Sequence, residues 1–486
     1  MKKIALFVAF AVAGVSAMAQ GMEEALRFSQ VYHSGTARFS AMGGAFAALG
    51  GDATTLTYNP AGLGVYRSSE FTFTPHLLRT ATDASYMGNI GNDDKFKFGV
   101  SNLAGIGVYK VNSESLKYLN FGISYNKTNH FSAASMLRGE FTSDLGLADY
   151  FAQRANDYGV EIKNTEAWLG WEGYAIDYDT IDGNYVAPYK VGEQIRNEQH
   201  STVTGDMGEY AFSIGGNISD IFYFGVTLGV VEVEYDKTTT ISETSDIRNQ
   251  KFDYSQYFNM TGSGFNFKFG FVVTPLVNAD FGSGLRIGAA MHTPTFLSMT
   301  DRYYARVGAA RTDENEFEYG IQTPTKYLAG LAYVFPGNEL RGIVSIDYEY
   351  TDYSQIKMRE ARNYAFDNIT DIQSDIKGGF NGVSNIRVGG ELGYKQLSLR
   401  AGYAHYGNPY TNTIYTTATK RDGAVQMLSG GIGIRIGKIT SLDFTYTRAT
   451  QSNNDYLYYY NEGLRSDEAK YDVVQNNFLL TLGWRF

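Results

Sequence analysis

The chain ends in Phe478, Leu480, Leu482, Trp484 and Phe486, apolar residues at strict two-residue spacing, with Thr481, Gly483 and Arg485 between the last four. Alternation of period two is the mark of an extended strand with one greasy face. The strand closes on an aromatic residue, as bacterial outer-membrane barrels do when they are handed to their assembly machinery. From Phe486 the expected partner is the barrel assembly machinery, and the expected compartment is the outer membrane of a Gram-negative cell.

The other terminus agrees. Lys2 and Lys3 precede an apolar run from Ile4 to Val15, followed by Ala17, Met18 and Ala19. This reads as a secretory signal peptide over residues 1–19, too short to span a bilayer. The chain holds no cysteine, so neither lipidation nor a disulfide is expected.

No run of 18 apolar residues follows the signal, which excludes helical membrane spans. From residue 69 onward the pattern is strand, turn, strand. Fourteen candidates lie near 69–79, 95–108, 117–129, 208–218, 221–243, 252–274, 284–306, 325–335, 341–358, 384–394, 397–406, 425–436, 440–449 and 474–486. With 15% aromatic residues, 38 tyrosines and 54 glycines, this composition suits an all-β fold. The expectation is a transmembrane up-and-down antiparallel β-barrel over 69–486, apolar outside, polar inside and ringed by aromatic residues. Connections such as Lys395-Gln396, Gly437-Lys438 and Pro336 to Leu340 are tight and belong in the periplasm. Those at 130–207, 359–383 and 450–473 are long and polar and belong outside the cell. Within the longest, Leu147, Phe151, Ala155 and Tyr158 recur at helical spacing, for a helix that either covers the barrel mouth or packs on its own loop.

Face by face, Phe265, Phe267, Phe269 and Phe271 alternate with Asn266, Lys268 and Gly270. Val344, Ile346, Tyr348 and Tyr350 alternate with Ser345, Asp347 and Glu349. One side is for lipid, the other for the lumen. Arg387, Glu391, Arg400, Arg435 and Asp443 all fall on the polar side, where inward charges are expected to pair across strands in a lumen polar network.

Residues 20–68 do not share this pattern. They are rich in glycine and alanine, which permit close backbone packing, and form an expected N-terminal hatch inside the barrel. Pro60 holds Asn59 extended, and the small Ala61 lets a sharp turn pass close to the wall. The stretch Ala37-Arg38, Met42-Gly43-Gly44-Ala45, Gly51-Asp52-Ala53 and Tyr58-Asn59-Pro60-Ala61-Gly62-Leu63 resembles the hatch of the FadL/TodX-type outer-membrane transporters of long-chain fatty acids and other hydrophobic compounds. Similarity continues in Arg286-Ile287-Gly288 with His292-Thr293-Pro294-Thr295, in Asp347 to Ser354, and in the hairpin of Arg387-Val388-Gly389-Gly390-Glu391 with Leu399-Arg400-Ala401-Gly402-Tyr403. The resemblance implies a monomeric fourteen-stranded barrel in which a fatty-acid-like ligand enters from outside and leaves sideways into outer-membrane lipid. It also implies that Asn59, Pro60 and Ala61 gate that path, and that an early strand is kinked; the nearest segment is Asn120 to Phe131. The insertion at 130–207 and the tyrosines from Tyr456 to Tyr460 match no fatty-acid pattern.

Signatures of other chemistry are few. The six histidines are scattered without metal-ligand spacing, and there is no nucleophile elbow or phosphate loop. Asp177-Tyr178-Asp179-Thr180-Ile181-Asp182-Gly183 departs from a calcium loop in spacing and lacks its closing glutamate. A net charge of −10 excludes a nucleic-acid partner. No enzyme, metal or cofactor is expected. The alternative to a transporter is a plugged receptor that captures haem or another extracellular ligand without conducting it.

Overall fold

The computed structural model describes residues 21–486 except 143–145, 191, 246–249, 276–283, 336, 338, 361–368, 412–421 and 462–463. The expected signal peptide and Pro336 lie outside the described residues.

The strands are β1 (Glu70–Tyr86), β2 (Asn89–Lys110) and β3 (Leu116–His130, resumed as Ala133–Thr142). Next come β4 (Gln194–Ile218), β5 (Phe222–Ser245) and β6 (Gln250–Val273). Three interrupted strands follow: β7 (Gly284–His292, resumed as Phe296–Val307), β8 (Asn315–Gln322, resumed as Lys326–Phe335) and β9 (Leu340–Asp352, resumed as Lys357–Glu360). The circuit is completed by β10 (Gly382–Tyr394), β11 (Leu397–Tyr406), β12 (Val425–Ile436), β13 (Thr440–Tyr456) and β14 (Glu468–Arg485). Neighbours pair antiparallel throughout, and β14 returns to β1 from Arg485↔Glu70 to Lys470↔Ser85. The last strand thus pairs with the first, and the barrel closes. Each of the fourteen expected strands coincides with one of these.

The strands run further than alternation predicts at the long-loop end. Residues 80–94, read as a connection, continue β1 and β2 to a two-residue turn at Met87-Gly88, and β4 begins at Gln194 rather than 208. The reason is visible along β5. Up to Val230 the outward residues are apolar (Phe222, Val226, Leu228, Val230) and the inward ones include Gly225, Thr227 and Gly229. From Val231 the pattern inverts: Val231, Val233 and Tyr235 are buried inside, while Glu232 and Glu234 face out. Nine residues, Phe222 to Val230, thus span the lipid-suited belt, within the ~9–11 that cross a bilayer at a tilt. Above it the barrel is built like a water-soluble protein, with its apolar side inward.

That upper interior needs a core, and residues 21–29 supply it as a helix whose Met22, Ala25, Leu26 and Phe28 are buried against Phe131, Val233, Tyr235 and Met299. The helix Ile369–Gly379 adds Ile372 and Ile376 to the same cluster. Over the outer rim, the helix Leu147–Tyr158 buries Leu147, Phe151 and Ala155 with Leu169 from the helix Glu166–Glu172. It packs on wall residues Ile241, Tyr254 and Val307 as well as on its own loop, and both oxygens of the buried Glu243 accept from its first amides, Leu147 N (2.7 Å) and Ala148 N (3.1 Å). Asp177–Asp179 pairs with Asn184–Val186 in a small hairpin.

Lower down, the lumen is filled by residues 30–66, which turn through Ala37–Ala41, Thr55–Tyr58 and a 3₁₀ turn at Pro60–Val65. Thr36 caps the first of these, accepting from Phe39 N at 3.1 Å and donating to Asp52 at 2.7 Å.

Candidate functional site

The hatch touches the wall where the wall has no side chains. A Cβ built on Gly270 of β6 would lie 1.9 Å from Asn59 Oδ1; on Gly225 of β5, 2.2 Å from the Pro60 carbonyl oxygen; on Gly288 of β7, 2.0 Å from the Ala47 carbonyl oxygen. Gly43, at φ +63°, packs against β11 at Gly402 in the same way. At Gly225, Gly288 and Gly402 backbone lies directly on backbone, and at Gly270 the wall makes room for the Asn59 amide.

Asn59 sits at the centre of this seating. Its φ of −133° is extended, as Pro60 requires, and it is 1% exposed. Its Oδ1 accepts from Ala61 N at 3.1 Å, and its Nδ2 donates to the Ala47 carbonyl at 2.5 Å. One amide thus closes the turn ahead of it and ties it to the preceding hatch segment.

Two ion networks join hatch to wall. In the first, Arg387 of β10, fully buried, donates to Tyr58 Oη (3.0 Å) and to Glu349 Oε2 (3.0 Å). Glu349 also meets His33 Nε2 at 2.9 Å and accepts from Asn385 at 2.9 Å, while Tyr58 donates to Asp347 at 2.9 Å. Burial pulls the His33 imidazole down to about 4, against the pull of Glu349, so it is neutral and donates from Nε2. In the second network, Glu391 Oε2 accepts from both Arg400 Nε (2.7 Å) and Arg38 Nε (2.8 Å), and Arg400 Nη1 reaches Asp443 at 2.5 Å. The structure thus brings Arg387, Glu391 and Arg400 into the lumen but not into one cluster. Arg435 differs from expectation: it is exposed at the short-turn rim, and its side chain makes no hydrogen bond or ion pair among the described residues, because β12 is already leaving the lumen for the Gly437-Lys438 turn. Sequence reasoning placed Asp347 and Glu349 on the polar face but missed their hatch partners His33 and Tyr58.

The wall is interrupted beside β3. Its ladder with β2 ends at Asn126↔Asn102, although β2 stays paired to β1 as far as Asn89. Just above, β3 is irregular between Lys127 and Asn129, leaves the strand conformation at Phe131-Ser132, and faces Gly205 of β4 at φ +125°. Side chains cross the opening instead. Lys95 of β2 donates to the Val203 carbonyl (3.2 Å) and Lys97 to the Gly205 carbonyl (2.9 Å) and Asp206 (2.6 Å), while Lys127 reaches the same carboxylate at 2.7 Å. A cavity of about 400 Å³ ends at this interruption, bounded by Asn129 to Ala133, by Arg27, Tyr32 and His33 of the hatch, and by the lumen face of β11 to β14. These lysines and Asp206 carry no local sequence signature, since they meet only when β3 breaks.

No family model and no curated protein matches the chain. Solved structures do. A Pseudomonas aeruginosa FadL homologue aligns over 94% of this chain and 99% of its own at 13% identity, with a TM-score of 0.55. The Pseudomonas putida toluene transporter TodX aligns over 93% of this chain and 98% of its own at 12% identity, with a TM-score of 0.51. At such identities the backbone path is what is shared, and by that path the chain has the FadL/TodX-type fold: fourteen antiparallel strands closed around an N-terminal hatch.

Proposed function

We propose that the protein is an outer-membrane channel for passive uptake of hydrophobic small molecules, fatty-acid-like in character, which leave through the β2–β3 opening under control of the hatch. The observation that carries this reading is the 400 Å³ cavity, which reaches Asn129 to Ala133 where β3 breaks, a few residues beyond its last pair with β2. The exterior beside that opening is apolar, with Phe96 and Phe98 of β2 exposed. An apolar ligand moving from such a cavity into lipid avoids exposing its methylenes to water, at about 0.8 kcal/mol each. The names of the two structural neighbours, a FadL homologue and a toluene transporter, are consistent with an apolar cargo. In this reading the long loops face outward, the short turns face the periplasm, and Asn59, Pro60 and Ala61 form the gating turn.

The test is uptake of a labelled long-chain fatty acid by liposomes carrying the barrel, compared with a variant lacking residues 21–66 and with Asn59→Ala. Altered uptake in both variants supports hatch-controlled transport. A folded barrel with no uptake in any form sinks it and leaves the receptor reading.

A further inference from the structure

In the longest loop, the helix Glu166–Glu172 and the hairpin of Asp177–Asp179 with Asn184–Val186 carry three aromatic rings in a row. Tyr178 and Tyr185 are directly opposed across the hairpin and meet edge to face, with centroids 5.1 Å apart; Trp171 meets Tyr185 in the same manner at 5.5 Å. The row is held in place from below. Asn156 of the helix Leu147–Tyr158 donates from Nδ2 to the Tyr185 carbonyl (2.8 Å), and its Oδ1 accepts from Tyr185 N (2.7 Å). Trp171 and Tyr178 are nevertheless 37% and 46% exposed. Large rings packed on one another at a surface, with their outer sides bare, have the character of a contact patch.

Tyr174 adds a second observation. It is the first residue past the helix cap Gly173 and has φ +57°, a left-handed conformation that glycine normally supplies at this position. A tyrosine there is strained, and no burial offsets the strain, because the residue is 90% exposed. The charge around the rings is one-sided. From Asp157 to Lys190 the chain holds seven carboxylates and two lysines. Lys163 is taken by Asp313, and Glu166 by Arg154. Glu161, Glu172, Asp177 and Asp182 are exposed and have no ion pair among the described residues. Desolvation, and after it the Glu161 carboxylate, push the Tyr185 hydroxyl up, which puts that charge beside the rings. Ring faces and unneutralised carboxylates share one ligand chemistry, the guanidinium or ammonium cation: a π face attracts it, and a carboxylate accepts its hydrogen bonds. Anionic lipid, nucleic acid and a second copy of this chain, itself at a net charge of −10, are repelled.

We propose that this surface docks a basic segment of another protein, whose arginine side chains stack on Trp171, Tyr174 and Tyr178 and pair with Glu161, Glu172, Asp177 and Asp182. The rings supply the specificity and the carboxylates the attraction at a distance. The inference stands on this surface alone and holds whether or not the barrel transports.

The experiment titrates a short fluorescent peptide of alternating arginine and glycine into the full chain, purified in a non-ionic detergent, and reads binding by anisotropy. Trp171→Ala/Tyr178→Ala removes two rings and no charge, and should weaken binding about tenfold. Glu161→Gln/Glu172→Gln/Asp177→Asn/Asp182→Asn keeps the rings and should weaken it as much. Tyr174→Gly separates binding from structure, since it removes a ring and relieves a strained backbone: affinity should fall several-fold while thermal stability holds or rises. All three alter exposed side chains, so each unheated protein should keep the gel mobility of a folded barrel. No binding by the native chain overturns the proposal. Undiminished binding in Trp171→Ala/Tyr178→Ala does so too, because it would reduce the attraction to net charge. A neutral dextran that displaces the peptide from the native chain would also overturn it, by assigning the rings to a glycan.

Discussion

Arg387 shows how a single side chain can be legible by type and illegible by role. Its place on the inward face of β10 follows from alternation, but its partner Tyr58 is 329 residues away, and nothing local announces it. Replacing Arg387 by Met leaves Glu349 buried with only a neutral histidine and an amide, a loss of about 3–5 kcal/mol. Denaturant titration of the refolded barrel should register it as a lower midpoint. His33 gives a pH signature with a definite sign. Its folded value of about 4 lies below the ordinary 6.5, so neutral His33 favours the seated hatch fully above pH 6.5. That support is lost as pH falls from 6.5 towards 4, by about 2 kcal/mol at pH 5. Proteolysis of residues 30–66 should therefore accelerate between pH 6.5 and 5 in the native chain. In His33→Gln, which keeps a donor for Glu349, that acceleration should disappear; an unchanged pH response would assign it to another group.

Among the elements, the lipid-facing stretches of strand were legible because period-two alternation is strongest where one face meets hydrocarbon. Their extensions were not, because above Val230 the greasy face turns inward and charge appears outside, which reads as loop. The hatch was visible in its own small residues, yet the matching wall glycines were hidden by the distance in sequence between the two surfaces. Gly225→Val tests that fit: its side chain would displace Pro60, and we expect a folded barrel whose hatch is cut by protease at least tenfold faster. The β3 interruption lends itself to a covalent test because the chain has no cysteine of its own. In Lys97→Cys/Asp206→Cys, a cleavable bis-maleimide should tie β2 to β4 across the opening. Uptake should then fall at least tenfold and return when the linker is cut; full uptake while tied would exclude this exit.

On the scale of the whole molecule, the barrel is two environments stacked end to end. The boundary at Val230 predicts a steep contrast between neighbouring positions. Val226→Arg, at the middle of the belt, should cost about 2–4 kcal/mol, whereas Glu232→Arg, just above the belt, should cost about 0–1 kcal/mol. Equal costs, measured by reversible folding into vesicles, would place the membrane edge elsewhere. The closing seam carries a different consequence. β1 directly follows the hatch, and β14 pairs with it, so the seam joins the first strand of the barrel to the fourteenth. In the finished fold a 25-residue β4 and its neighbours stand around residues 21–66, whose Arg38, Tyr58 and Asn59 are tied to the wall from inside. We expect the plug to be in place before that seam closes, because it is bonded to the wall on several sides at once. On that expectation the sheet is wound around it, as staves are set round a form, and a chain delivered without the plug would have to close on an empty bore.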